Sequence, residues 1–130
     1  MFYEKQTMEI HEKREARLRL SQEFLNLMNL RPADGAQWTG SVADLVEAAH
    51  VVYECGTICD DSGSTISFKR LVSSVCLSLH VTAPSNPNRT LYQARNRKGT
   101  RQTCYFERYC RMMFDMNIEM PMQQCVRMED

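Results

Sequence analysis

The sequence has few of the features that direct a protein into or across a membrane. No apolar run approaches the roughly 18 consecutive residues that a membrane-spanning helix needs. The N-terminal stretch MFYEKQTMEIHEKREARL is charged from its fourth residue and has no apolar core of the kind found in a signal peptide. We therefore expect a cytoplasmic protein that makes no use of a membrane.

Motifs of common catalytic and cofactor sites are also missing. The sequence contains no glycine-rich phosphate loop, no GxSxG and no HExxH. A zinc set built from His50, Cys55, Cys59 and His80 would not follow an established ligand spacing. Cys76, four residues before His80, is more typical of a core thiol beside a helix end than of a nucleophilic pair. We predict no catalytic residue, no metal, no cofactor and no small-molecule substrate.

The six cysteines are scattered along the chain. In a protein that is not exported, we expect reduced thiols, mostly buried and acting as small hydrophobic side chains. The positions concerned are Cys55, Cys59, Cys76, Cys104, Cys110 and Cys125.

Alternation of apolar and polar residues, the pattern of a half-buried strand, is scarce, and no internal repeat is visible. Helical spacing and helix-capping residues dominate instead, which predicts an all-α fold. Ser41 with Asp44 resembles a capping box, Gly56 and Gly99 are expected helix ends, and Pro87 is expected at the first position of a helix. The predicted helices are residues 4–30, 42–55, 66–79, 87–98 and 103–116.

The apolar positions of these helices predict the core. Trp38, just before the N-cap of the second helix, is expected to anchor the entry to that helix rather than to stack on a base. The buried stripes are predicted at Val42, Leu45, Val46, Ala49 and Tyr53, at Phe68, Leu71, Val72, Val75 and Leu79, and at Tyr105, Tyr109, Met112 and Met116.

Charge is distributed unevenly in a chain whose formal net charge is zero. The segment 85–111 holds seven basic residues and one acid, Glu107, so the rest of the chain carries the balancing negative charge. Such a local field matters more for the choice of partner than the net charge does. The basic residues are Arg89, Arg95, Arg97, Lys98, Arg101, Arg108 and Arg111.

The third and fourth predicted helices, joined by a short polar connection, have the layout of a helix-turn-helix. On the fourth helix Leu91 and Ala94 can face the core, and polar residues at i, i+4, i+7 and i+8 occupy another face. Arginine pairs with guanine, and asparagine or glutamine with adenine, whereas basic residues at the helix end suit phosphates. The alternative is a solvated helix end whose basic residues are favoured by the helix dipole. The predicted base-reading residues are Arg89, Gln93, Asn96 and Arg97, and the predicted backbone contacts are Arg95, Lys98 and Arg101.

Two segments resemble the C-terminal domain of the RteC family. Trp38-Thr39-Gly40-Ser41, followed by Asp44-Leu45-Val46-Glu47, is similar to the family's WTGS-x-x-DLVE signature, and Arg95-Asn96-Arg97-Lys98 with Arg101 and Thr103 is similar to its R-x-R-K…R-T stretch. Members of that family are transcriptional regulators associated with mobile conjugative elements. The resemblance implies a helical, winged-helix-like domain that binds double-stranded DNA through the segment identified above.

The predicted organisation has three parts. Residues 1–36 form an amphipathic helix and linker, 37–116 an RteC-like DNA-binding domain, and 117–130 a flexible tail. The first helix is too long and too polar in its first half for a small core to bury, so we expect it to pair with a second copy of the chain. The alternative function is a non-catalytic interaction module whose basic block binds an acidic protein.

Overall fold

The computed structural model describes the backbone of residues 2–101 and 103–129 and the side chains of residues 9–96 and 103–129. Within these ranges the chain is mostly helical, as predicted, with one small antiparallel sheet. No helix in the described part of the chain combines the length and apolar character needed to cross a bilayer. The elements are α1 (Phe2–Met28), β1 (Ala36–Trp38), α2 (Val42–Cys55), α3 (Phe68–Ser78), α4 (Pro87–Arg101), α5 (Tyr105–Phe114) and β2 (Val126–Met128), with 3-10 helices at Pro32–Asp34 and Pro121–Cys125.

Helix starts follow the capping residues of the sequence. The Ser41 hydroxyl accepts a hydrogen bond from the backbone N–H of Asp44 at 3.1 Å, and Ser67 caps α3 in the same way. The Asn86 side chain accepts from the N–H of Arg89 at 3.2 Å. Gly56 ends α2 in the left-handed conformation with φ of +65°, which a residue with a side chain adopts only at a cost.

Gly99 does not end α4, so that prediction was wrong. The helix continues through Gly99 to Arg101. A glycine inside a helix costs about 1 kcal/mol relative to alanine but does not interrupt the backbone hydrogen bonds. The next helix begins at Tyr105, so the connection between α4 and α5 is very short.

The second half of α1 belongs to the same core as the rest of the chain. Its apolar stripe is fully buried, and α1 packs against α2, α3 and α5. By contrast, Ile10 and Leu18 remain about 60% exposed, in agreement with the expectation that the core does not bury the whole helix. The buried residues of α1 include Ala16, Leu20, Phe24 and Leu27.

The segment 117–129, which was predicted to be a flexible tail, contains the second 3-10 helix and the strand β2. Met122 is completely buried, and β2 pairs antiparallel with β1, with Val126 opposite Trp38. The pairing continues at both ends, because the Thr39 N–H donates to the Cys125 carbonyl at 2.7 Å and the Glu129 N–H donates to Gly35. The end of the described chain therefore closes over the core next to the start of α2.

Most of the predicted apolar stripes are buried, including every predicted position of α3. On α2, Tyr53 is 43% exposed and Val42 is only half-buried. On α5 the buried position is Met113 rather than Met112, which is half-buried, and Met116 is 64% exposed. The physical reason is that α5 ends at Phe114, so Met116 lies beyond the helix whose face it was expected to share.

All six thiols are free, but they are not mostly buried as predicted. Cys76 alone is buried, and burial raises the pKa of its thiol to about 11. Cys59 and Cys104 are exposed, and the other three are half-buried. The apolar helical spacing of several of these residues suggested burial, but in the structure they lie at the margin of the core.

Candidate nucleic-acid interface

The packing of α4 on α2 positions the candidate interface. Pro87, Leu91 and Ala94 are buried, and they attach one side of α4 to the core. The residues Leu79–Asn86 connect α3 to α4, and α3 also packs on α2. The two helices of the predicted helix-turn-helix therefore share α2 as a support, and one face of α4 is left for solvent.

The exposed face of α4 carries the predicted base-reading residues that lie among the described side chains. Arg89, Gln93 and Asn96 are all exposed, and their spacing of four and three places them along one side of the helix. Tyr92, beside them, is 68% exposed. The side chains of Arg97, Lys98 and Arg101 lie outside the described residues.

Arg95 is held by the protein, although it was predicted to be a phosphate contact. Its Nη2 donates to Nδ1 of His50 on α2 at 3.1 Å. The same His50 nitrogen lies 2.9 Å from Oε1 of Glu54. Burial lowers the pKa of His50, and the charge of Arg95 lowers it further, whereas Glu54 raises it. Arg95 thus connects the candidate recognition helix to a titratable group on α2.

Arg108 is also engaged, so it adds less to the basic surface than its place in the sequence suggested. Its Nη2 donates to Oδ1 of Asp44 at 2.5 Å, and its Nε donates to the Thr103 carbonyl at 3.4 Å. The guanidinium lies over the ring of Tyr105 at 5.5 Å from its centroid, close enough for a cation–π contact. The Arg108–Asp44 pair joins α5 to the first turn of α2. It thereby fixes the position of Arg108 near the end of the basic segment 85–111.

Two buried acidic residues that support α5 were not predicted from the sequence. Glu23 on α1 is 1% exposed and accepts from the Tyr109 hydroxyl at 2.5 Å and from the Met122 N–H at 3.2 Å. Glu47 on α2 accepts from the Tyr105 N–H at 2.7 Å, at the start of α5. Burial raises the pKa of Glu23, and the hydrogen bonds it accepts oppose that rise.

A signal for Glu23 was present in the sequence. It lies three residues after Leu20 and directly before Phe24, and so it falls on the apolar stripe of α1. A charged residue at a core position of a helix predicts a specific buried partner.

Trp38 has the structural role that was predicted. Its indole Nε1 donates to the Ser41 carbonyl at 2.9 Å, and its ring packs edge-on against Tyr105 with centroids 6.5 Å apart. A Cβ atom at Gly40 would lie 3.1 Å from the indole, so this glycine permits the close approach. The Trp-Thr-Gly-Ser segment thus forms the folded entry to α2.

The candidate zinc ligands of the sequence do not come together in a metal site. Among the described side chains, those of residues 9–96 and 103–129, no group of three or more histidine, cysteine, aspartate or glutamate residues is placed to hold a metal ion. His50 is used by Arg95 and Glu54, and Nδ1 of His80 lies 2.9 Å from the Ala36 carbonyl. In comparisons with known proteins, no protein-family model, no curated protein and no solved structure matches this chain.

Proposed function

We propose that the protein binds double-stranded DNA in a sequence-specific way and regulates transcription, with α4 as its recognition helix. The observation that carries the proposal is the composition of the two sides of α4. One side is fixed to the core by Leu91 and Ala94, and the other presents Arg89, Gln93 and Asn96 to solvent. The helix contains no acidic residue, which favours an anionic partner.

The exposed side chains suit the major groove by their chemistry. Arg89 can make two hydrogen bonds to a guanine, and Gln93 and Asn96 can each make two to an adenine. A buried anchor on the opposite side fixes the orientation of the helix, which a reader of base edges needs. Arg97 completes the proposed set of base readers, and Arg95, Lys98 and Arg101 are the proposed phosphate contacts.

The resemblance to the RteC family supports a more specific version of this proposal. In this version α2, α3 and α4 form the helical core of a winged-helix-like domain, and the protein acts on a mobile genetic element. Support comes from the similarity of Trp38–Glu47 to the family signature and from the similarity of the basic segment that begins at Arg95 to the family's second motif.

Fluorescence anisotropy with a random-sequence labelled duplex tests DNA binding. At about 50 mM salt, where non-specific binding is strongest, we expect the wild type to bind and to lose affinity steeply as salt is added. Arg89→Ala should weaken binding, because it removes a positive charge from the proposed interface. Arg14→Ala makes the same change of charge at an exposed position of α1 and serves as the matched control.

Absence of duplex affinity in the wild type at this salt concentration would overturn the proposal. Equal losses in the Arg89 and Arg14 variants would show that charge alone matters and that α4 is not the interface. Salt-sensitive binding to an acidic protein without binding to duplex would favour the interaction module.

A further inference from the structure

His50 has two neighbours that compete for one nitrogen atom. Its Nδ1 lies 3.1 Å from Nη2 of Arg95 and 2.9 Å from Oε1 of Glu54. Arginine can only donate, and a carboxylate can only accept. A neutral imidazole whose Nδ1 carries no proton accepts from Arg95, whereas a ring with a proton on Nδ1 donates to Glu54. The protonation of His50 therefore selects between the two contacts.

The surroundings favour a neutral ring while Arg95 is in place. Only 20% of the His50 side chain is exposed, whereas 64% of the Glu54 side chain is exposed. The ring of Phe68 on α3 packs edge-on against the imidazole at 5.3 Å, and the ring of Tyr53, which also contacts Phe68, lies 6.2 Å from the imidazole. Burial and the charge of Arg95 both lower the pKa of His50, and Glu54 alone opposes them.

The remaining titratable neighbours lie around a cavity of 110 Å³ next to the ring. Glu47 of α2 and Cys104 at the start of α5 contribute to its lining, together with Leu91 of α4. Glu47 accepts from the backbone N–H of Tyr105 and is thereby directed towards α5. Arg95 is the contact that joins His50 to the candidate recognition helix.

We propose that His50 is a positioning residue for Arg95, which it retains on α2 when neutral and releases to a DNA phosphate when it takes up a proton and turns to Glu54. This inference rests on the proposed function, since it supplies the regulation of the same surface. Because binding energies are coupled reciprocally, a duplex that draws Arg95 away raises the proton affinity of His50, and protonation of His50 strengthens duplex binding.

The first experiment needs no DNA. The chain has three histidines, so each imidazole resonance can be assigned by single substitution and its pKa followed by NMR. Arg95→Gln should raise the pKa of His50, because a positive charge and a donor to Nδ1 are removed together. An unchanged pKa of His50 in this variant would overturn the proposed retention of Arg95, whatever the protein binds.

The second experiment measures duplex affinity between about pH 5.5 and 8 at constant ionic strength. In the wild type the affinity should rise as the pH falls, by at most about tenfold per pH unit, the limit for uptake of one proton. His50→Gln and Arg95→Gln should each lose this dependence. His11→Gln, at an exposed position of α1, is the matched control and should keep it.

Glu54→Gln tests the same step without altering His50, in case the His50 variant fails to fold, since it changes a mostly exposed side chain and removes the negative charge that favours the protonated ring. It should reduce the pH dependence while circular dichroism stays unchanged. A His50→Gln protein that binds duplex with the wild-type pH dependence would refute the inference but leave DNA binding intact. A wild type without duplex affinity would instead refute the proposed function, and the NMR result would then decide the retention of Arg95 alone.

Discussion

Removal of the Tyr109 hydroxyl is the substitution whose effect on stability follows most directly from the structure. Tyr109→Phe keeps the aromatic ring, which is completely buried, and deletes the donor that lies 2.5 Å from Glu23. Glu23 is 1% exposed and is left with backbone donors, among them the N–H of Met122. Water cannot easily replace the lost donor at such a depth. The variant therefore isolates one buried hydrogen bond without creating a large cavity.

The expected loss is about 2 kcal/mol. A hydrogen bond to a charged group contributes about 1.5–3 kcal/mol, and the ring packing that dominates the burial of tyrosine is conserved. Burial and the neighbouring carboxylate raise the pKa of Tyr109, so the phenol stays a protonated donor across the accessible pH range. The stability of a domain of this size is of the order of 5–15 kcal/mol, so a loss of this size is measurable while the fold persists.

Urea unfolding followed by the fluorescence of Trp38, the single tryptophan, measures the change. The midpoint should shift to lower urea with an unchanged slope, because the same surface is exposed on unfolding.

Glu23→Gln is the companion variant. Since burial raises the pKa of Glu23 above its unfolded value, the folded state retains its proton longer, and the contribution of this group to stability is lost as the pH rises from about 4.5 through the folded pKa.

The glutamine variant should lack that part of the pH dependence. A Tyr109→Phe protein as stable as the wild type would refute the view that the Glu23–Tyr109 contact fixes α5 to α1. An unchanged pH profile in Glu23→Gln would refute the assignment of that profile to Glu23.

Three further predictions concern the rest of the molecule. Arg108→Ala should cost about 1–3 kcal/mol by urea unfolding, because it removes the ion pair that joins α5 to Asp44; neutrality would show that the pair contributes nothing. Met122→Ala should cost about 2–5 kcal/mol, because the side chain is completely buried, and a cost below about 0.5 kcal/mol would show that the C-terminal segment is not part of the core. Light scattering at micromolar concentration should give the mass of a dimer, and Ile10→Ser with Leu18→Ser, which alter exposed apolar residues of α1, should give a monomer; a monomeric wild type would contradict this.

Helix positions could be predicted from the sequence because their signals are local. Ser41 and Gly56 bound α2, and the apolar spacing of α3 matches its buried face at every predicted position. Capping residues and apolar periodicity act over one to four turns, so one sequence contains enough information about them. The prediction that α4 ends at Gly99 was wrong because a glycine ends a helix only where the chain after it leaves the helix axis.

Long-range contacts could not be predicted in the same way. The pairing of β2 with β1 joins segments about 90 residues apart, and three-residue strands have no readable alternation. The contact of Arg95 with His50 spans 45 residues and depends on how α4 packs on α2. The candidate site was therefore predicted as a helical face, and the sequence contained no signal that one of its basic residues would be held by a histidine.

The proposed function requires that the exposed face of α4 reads base edges, and Asn96 tests this requirement most directly. A preferred duplex is first selected from a random pool with the wild type, and the affinities for that site and for variants of it are then compared. Asn96→Ala should lose roughly 1–3 kcal/mol on the preferred site and tolerate changes at one base pair, whereas Asn26→Ala, at an exposed position of α1, should behave as the wild type. An Asn96→Ala protein that keeps the affinity and discrimination of the wild type would contradict the claim.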